Sequence, residues 1–436
     1  MPASGVADFL DERRRAALEV YEREPIPHWR RSGFWTTSLK QLRLDELEPR
    51  RYETVESLDE LPSVVAEAVG EPTELGGLLV QRGASTVLSW VDPEVAEQGV
   101  VLKSLERAVE DHRELVERWY MRRLSETEGK FPAATAAFWT GGAFLSVPPN
   151  VQVEKPLQIV YLIDEPGVAQ YGHTLGVVGE FAECRVREYD VAPDFEGQAL
   201  HSGAFELYCQ AGSQVRLAHF QNWGQGEVHD ISTKRVEIAR DAFCAWTPIH
   251  LGGRLTKQTL DIVTAESGAD MRHKGIYFTE DSEHLDLFTT DLKERPHTTG
   301  DTVWKGALTG DSRASYEGLI QIVRGATESH TYLQTHSMLL SPKAKGDAIP
   351  SLIVETDNVS ASHGGTVGEL DDEQIFYMMT RGVPRAEAVR ILVEGYFEEV
   401  VQALDDPALE DLVRRTVAQK LAAAEEQVVE FIAERG

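Results

Sequence analysis

CQAGSQVRLA at residues 209–218, TAESGADMRH at 264–273 and IVRGATESHT at 322–331 carry the same design. Each runs a strand-like segment through a turn of small residues, glycine and a polar residue into the next strand-like segment. Glycine tolerates backbone angles that other residues resist, so it suits a tight corner. One similar corner per turn is what a parallel β-helix uses, and its stacked rungs bury a continuous core that needs caps. Outward from these corners, short β-branched or apolar runs recur from Gly141 to about Asp357, at 151–153, 158–163, 174–178, 213–218, 259–264 and 319–323. Gly, Asp, Asn and Ser separate them, and long helical periodicity is absent. Such density fits a sandwich, a barrel or a stacked solenoid. No fixed-length repeat decides among them. The recurring corner favours the parallel β-helix.

Both flanks read as helical, and helices are natural caps. Residues 6–24 place Val6, Phe9, Leu10, Ala17 and Tyr21 on one face, and Pro25 and Pro27 end the run. Trp29, Phe34 and Trp35 then cluster and read as the packing of a small N-terminal module. From Val101 to Leu124 a second helix is predicted, with Leu105, Val109, Leu115, Val116 and Trp119 inward and His112 at the edge of the core. Residues 384–404 carry Ala388, Ile391, Leu392, Tyr396 and Val400 at helical spacing. Pro407 opens a last helix with Leu409, Leu412, Val413, Val417, Leu421 and Val428. The expected organisation is a helical region at 1–139, a β core at 140–368 and a helical region at 369–436.

The chain has 436 residues, enough for a large core, with Lys+Arg 43 against Asp+Glu 72 and a net charge of -29. That field repels nucleic-acid phosphate. No apolar run approaches membrane-spanning length, and MPASGVADFLDERRR has no signal-type apolar stretch, so a cytoplasmic protein is expected. Cys184, Cys209 and Cys244 are far apart in sequence and odd in number, which suggests neither a zinc pattern nor a disulfide framework.

SLIVETDNVSASHGGTVGELDDEQIFYMMTRG, residues 351–382, joins the β core to the last helices. Leu352, Ile353 and Val354 open it as a strand. Ser362-His363-Gly364-Gly365 reads as a glycine-rich corner. Asp371 or Asp372 is placed to cap a helix carrying Ile375, Phe376 and Met379, and Gly382 with Pro384 stops it. A histidine on that corner either presents a ring nitrogen to a metal or a partner subunit, or satisfies the turn. No Walker A loop, GxSxG, HExxH or CxxC occurs. The β region also holds His201, His219, His229, His250, His273, His284, His297, His330 and His336, without close pairing in sequence. Gln221-Asn222-Trp223 and Arg295-Pro296-His297-Thr298-Thr299 read as polar strings that steady corners.

SHGGTVGELDDEQIFYMMTRGVPRAEAVRILVEGYFEEVV resembles the C-terminal signature of the SufB/SufD family of iron–sulfur cluster assembly proteins. The resemblance extends through VVLKSLERAVEDHRELVERWY, FPAATAAFWTGGAFLSVPPNVQVEKPLQI, FQNW, RPHTTGDTVWKGAL and MLLSPKAKGDAIPSLIVETDN, in order along nearly the whole chain. It implies a right-handed parallel β-helix core between N- and C-terminal α-helical regions, and a complex with the ATPase SufC. Its SufB-type cysteine positions appear here as Thr335 and Asp190, and neither residue replaces a thiolate. The resemblance is therefore to the SufD type, although Ala361 stands where many such members have cysteine. Gln221, Trp223 and Lys234 match positions lining the sulfur route of SufB, and are read as inherited architecture.

The resemblance implies a non-catalytic scaffold that pairs with a SufB-like paralogue or a second copy. It places a SufC-like ABC-type ATPase on Ile391, Leu392, Tyr396 and Phe397, and makes His363 an iron or cluster ligand at the subunit interface. No cofactor is expected to stay on the lone chain, though a transient iron–sulfur cluster fits the complex. A carbohydrate-active β-helix lyase or hydrolase is the rival reading; it requires a secretion signal and a groove of clustered acids and bases.

Overall fold

The computed structural model describes residues 8–31, 35–425, 428 and 431. Two long sheets run side by side, one ordered from residues 345–354 back to 101–103, the other from 360–369 back to 85–91. The chain alternates between them, and each strand pairs in parallel with the strand one turn later. Leu200, for example, stands beside Ala169 and His229 stands beside Leu200. This is a parallel β-solenoid of about eight turns. The corners follow the sequence phrases: Gly212, Gly268 and Gly325 have φ of 69°, 78° and 89°, a left-handed backbone that favours glycine.

The sheets reach back across residue 140. Strand 77–82 adds to one sheet in parallel; 85–91 pairs antiparallel with it, and 101–103 pairs antiparallel with 143–147 in the other sheet. Helix 130–138 lies on strand 198–209, and helix 8–23 packs on 130–138. The helix expected over 101–124 is instead a strand, a helix at 105–111 and another at 113–119. His112 breaks it at φ -130° and ψ 36°, stacking 5.8 Å from Phe144. Trp29 packs with Leu39, Leu42 and Phe131 as expected; Val6 and Phe34 lie outside the described residues.

At the other end helices 372–380, 385–402 and 407–423 fold back over one sheet. Asp371 caps the first by accepting from the Glu373 amide, and Gly382 turns the chain at φ 88°. Val389, Val393, Phe397 and Val400 bury against Ile249, Ile276, Phe278 and Ala307 of the sheet. Ion pairs rivet this seam, among them Arg187, which forks onto Asp406 at 2.7 and 2.6 Å, Lys305 with Glu399 at 2.9 Å, and Lys420 with Glu280.

Candidate functional site

The C-terminal end of the solenoid is left open. Strands 345–354 and 360–369 are the last in their sheets, each with a single neighbour, so each presents a row of unpaired backbone groups. Leu352, Ile353, Val354 and Val367 are 37–46% exposed there. An edge this long and apolar invites another chain.

His363 lies in the middle of strand 360–369, in register with Leu333, and is exposed. It is not on a corner. Gly364 and Gly365 are strand residues without positive φ, held by residue-for-residue pairing to strand 330–339. The alternation of the strand decides where the imidazole stands. A Cβ on Gly365 would meet Ala348 of the other sheet and its own register partner Thr335, and Leu333, the register partner of His363, is buried inside. Residues 361, 363, 365 and 367 therefore share the inner face, and His363 stands at the mouth of the lumen with no further rung above it. One rung below, Thr335 is fully buried and its hydroxyl has no partner among the described residues.

Deeper in the lumen the rows become polar. Glu188, Asp190, His219, Gln221 and His250 come from one sheet; His201, Asp230 and Lys234 come from the other. Lys234 Nζ lies 2.8 Å from Glu188 and 3.2 Å from Asp190. Trp246 donates to His219 Nδ1 at 2.7 Å, so the ring proton sits on Nε2, 3.0 Å from Glu188. Trp223 and Gln258 both donate to Asp230, at 3.0 and 2.9 Å. Burial, opposed by Lys234 but reinforced by Glu188 and Asp230, pushes the Asp190 carboxyl up to about 7. Burial holds His201 and His219 down at about 4 and His273 at about 3.

A layer of rings separates this chamber from the mouth. Trp246 stacks on His273 at 5.0 Å, Trp304 lies 5.4 Å from His273, and Tyr316 lies 5.3 Å from Trp304. Glycine makes room for it, since a Cβ on Gly306 would fall 1.9 Å from the Tyr277 ring. The chamber is thus a packed ion-pair network, and Lys234 holds it together. Lys234→Met is expected to lower stability by about 3–5 kcal/mol, because it strands buried carboxylates. Urea titrations of the two proteins check this; equal midpoints would show the network is not held by that charge.

Cys184 and Cys244, distant in sequence, flank Val215 in one row of the lumen, and Cys209 reaches Cys244 from the other sheet. The β-helix brings together what the spacing scatters. Burial pushes the Cys184 thiol up to about 12, and its hydrogen bond with Cys244, then burial, raises Cys209. Protonated thiols in an apolar corner are poor nucleophiles.

The four residues expected to dock an ATPase do not share a free face. Ile391 is 41% exposed, but Phe397 is buried, Leu392 is half-buried and Tyr396 donates to the His336 carbonyl at 2.7 Å. The sequence pattern shows an apolar stripe and cannot tell a stripe that meets the chain's own sheet from one that meets a partner. The exposed apolar groups are Phe376, Tyr377 and Met379 at 69, 60 and 41%. Ile391 also borders a groove of about 410 Å³ with Gly395, Val401 and Val413.

Residues 161–396 match the family described as SUF system FeS cluster assembly, SufBD core domain, and residues 87–159 match the SufBD protein N-terminal region. The chain belongs to the SufBD family of iron–sulfur cluster assembly proteins. Among its relatives is an iron–sulfur cluster assembly SufBD family protein of Staphylococcus haemolyticus, 26% identical over 408 residues, covering 91% of this chain and 86% of the relative. Another, from Staphylococcus epidermidis, is 27% identical over 402 residues, covering 90% and 85%. A Staphylococcus aureus relative of the same description is 25% identical over 408 residues. A carbohydrate-active enzyme is not favoured by these matches. No helix among the described residues is long and apolar enough to cross a membrane.

Proposed function

We propose that this SufBD-family chain is a SufD-type scaffold subunit, cytoplasmic and non-catalytic. It pairs through its open solenoid end with a SufB-like chain and carries a SufC-like ABC-type ATPase on its C-terminal helices. The open edge with His363 on its inner face is the observation that carries this reading. Pairing by edge addition satisfies the bare backbone of strands 345–354 and 360–369 and covers Leu352, Ile353 and Val367. It also encloses His363, whose neutral imidazole suits iron. The nascent cluster is cargo there. Among the described residues no three His, Cys, Asp or Glu side chains converge as a metal site, so this chain offers one donor and the partner supplies the rest. Asp190 and Thr335 at the family's cysteine positions, with Lys234 locked between carboxylates, support a scaffold rather than a sulfur carrier. Phe376, Tyr377, Met379 and Ile391 replace Phe397 and Tyr396 as the proposed ATPase-facing residues.

His363→Ala tests the mouth. The variant is expected to melt with the wild type, since an exposed imidazole costs little packing. Cluster assembly by the complex with the SufB-like and SufC-like chains is expected to fall at least about tenfold, because losing a direct ligand exceeds the usual 10–100-fold cost of losing an outer-shell partner. A normal melt with wild-type assembly would remove His363 from the site. Pairing is read separately by size-exclusion chromatography of the co-expressed chains with Ile353→Lys, which is expected to stay monomeric. A second copy taking the partner's place would appear there as a homodimer.

A further inference from the structure

A cleft of about 520 Å³ opens between residues 36–41 and one corner of the solenoid. Its wall is built rung by rung. Leu255, His284 and Arg313 stand in register on successive strands of one sheet, with Arg254 just before Leu255 and His229 one strand earlier. Rungs are spaced roughly 4.8 Å apart, so the two arginines are anchored roughly 10 Å apart with His284 between them. Lys40, Gln41, Thr36 and Ser38 form the facing wall.

The charges in this cleft are unusual for so acidic a chain. Among the described residues Lys40, Arg254 and Arg313 have no carboxylate partner, although Asp+Glu number 72 against Lys+Arg 43. Arg254 is held in place by neutral groups alone: it donates to the Ser282 carbonyl, to Ser282 Oγ at 2.6 Å and to Gln41 Oε1 at 3.5 Å. Two acids line the cleft. Asp311 pairs with Lys343 at 3.4 Å, and Glu283 Oε2 accepts from the Glu280 amide. Burial, opposed by Lys420, pushes the Glu283 carboxyl up to about 8. Burial is also the main force lowering His284, to about 4; Asp286 opposes the shift, and Arg313, Arg254 and Lys257 add to it. Cations left unpaired and converging in an otherwise acidic protein raise the local concentration of anions.

We infer that this cleft binds a small, multiply charged oxyanion, such as a diphosphate, a triphosphate or a polycarboxylate. Guanidinium forks match phosphate and carboxylate oxygens. The anchor spacing favours a ligand longer than a single orthophosphate. Nothing in this inference depends on pairing, on the ATPase or on His363.

Titration calorimetry of the full chain, at low ionic strength in phosphate-free buffer, tests it with pyrophosphate, tripolyphosphate and citrate. Saturable binding of at least one probe is expected, weakening as salt is raised. Pyrophosphate or tripolyphosphate alone binding identifies phosphate chemistry; citrate alone identifies a carboxylate ligand. Arg313→Gln and Arg254→Gln are each expected to weaken binding about tenfold, the worth of one charged hydrogen bond. Should Arg254→Gln disturb its corner, Lys40→Gln and Arg313→Gln, at exposed positions, decide the matter, with melts confirming the fold. No saturable heat from any probe overturns the inference. So does binding that all the variants retain at full strength, which would place the anion elsewhere.

Discussion

A chain ending at Val383 is expected to come out insoluble, or to lose its cooperative melt. The helices beyond that point bury Val389, Val393, Phe397, Val400, Leu409, Val413, Val417 and Leu421 in one core with the outer face of the sheet. Each such side chain is worth about 1.5–3 kcal/mol when fully buried. Even after allowing for contacts that the helices make only with each other, the sum matches the roughly 5–15 kcal/mol by which whole domains are stable. The deletion would also strip Ile249, Ile276, Phe278 and Ala307, and leave Arg187 and Lys305 without Asp406 and Glu399. Solubility, far-ultraviolet circular dichroism and dye binding to exposed apolar surface are the measurements. A soluble fragment that melts within a few degrees of the full chain would show the helices to be an appendage. If they are structural, ATPase docking must be probed from the surface, by Phe376→Glu, Tyr377→Glu or Ile391→Glu.

That outcome bears on what the sequence could and could not disclose. The corners were legible because left-handed backbone selects glycine locally, and Gly212, Gly268 and Gly325 show it. The last helices were legible from their 3.6-residue stripe, but the direction of the stripe was not. Phe397 and Ile391 look equivalent in a helical pattern, and only the sheet at Ile249 and Ile276 makes one core and the other surface. His363 shows a different limit. Ser-His-Gly-Gly reads as a turn because glycine is rare in strands, yet an edge strand opposite Ala348 and Pro350 has need of small residues. The cysteine corner and the lumen chamber escaped altogether. Their members lie one or two rungs apart in sequence, and without a fixed repeat length no spacing rule aligns them. Resemblance to the family did mark Asp190, Gln221, Trp223 and Lys234, but not the histidines around them.

Those histidines set the last expected result: a steep loss of stability as pH falls from about 6.5 towards 4. His201 and His219 are held at about 4 and His273 at about 3, while His250 is lowered well below its ordinary value. Burial is the first cause in all four. Unfolded, each histidine takes up a proton near pH 6.5, whereas folded it stays neutral. Their contribution is therefore complete above about pH 6.5 and is lost on the way down. Asp190 acts in the opposite sense. Its folded carboxyl, near 7, is already protonated where the unfolded one is not, so it gains stability as pH falls through the same window. Glu188, lowered despite its burial by Lys234 and His219, loses its contribution only below about pH 4.5. His284, at about 4, and Glu283, at about 8, add one more of each kind, so five histidines against two acids leave about three protons taken up on unfolding, a slope of about 4 kcal/mol per pH unit. Against a stability of roughly 5–15 kcal/mol, acid unfolding is expected between about pH 5 and 3. Urea midpoints at pH 7, 6 and 5 measure the slope directly. A stability that stays flat from pH 7 to 5 would mean that the lumen histidines are charged or solvated in the folded protein, and the sealed chamber would have to be abandoned.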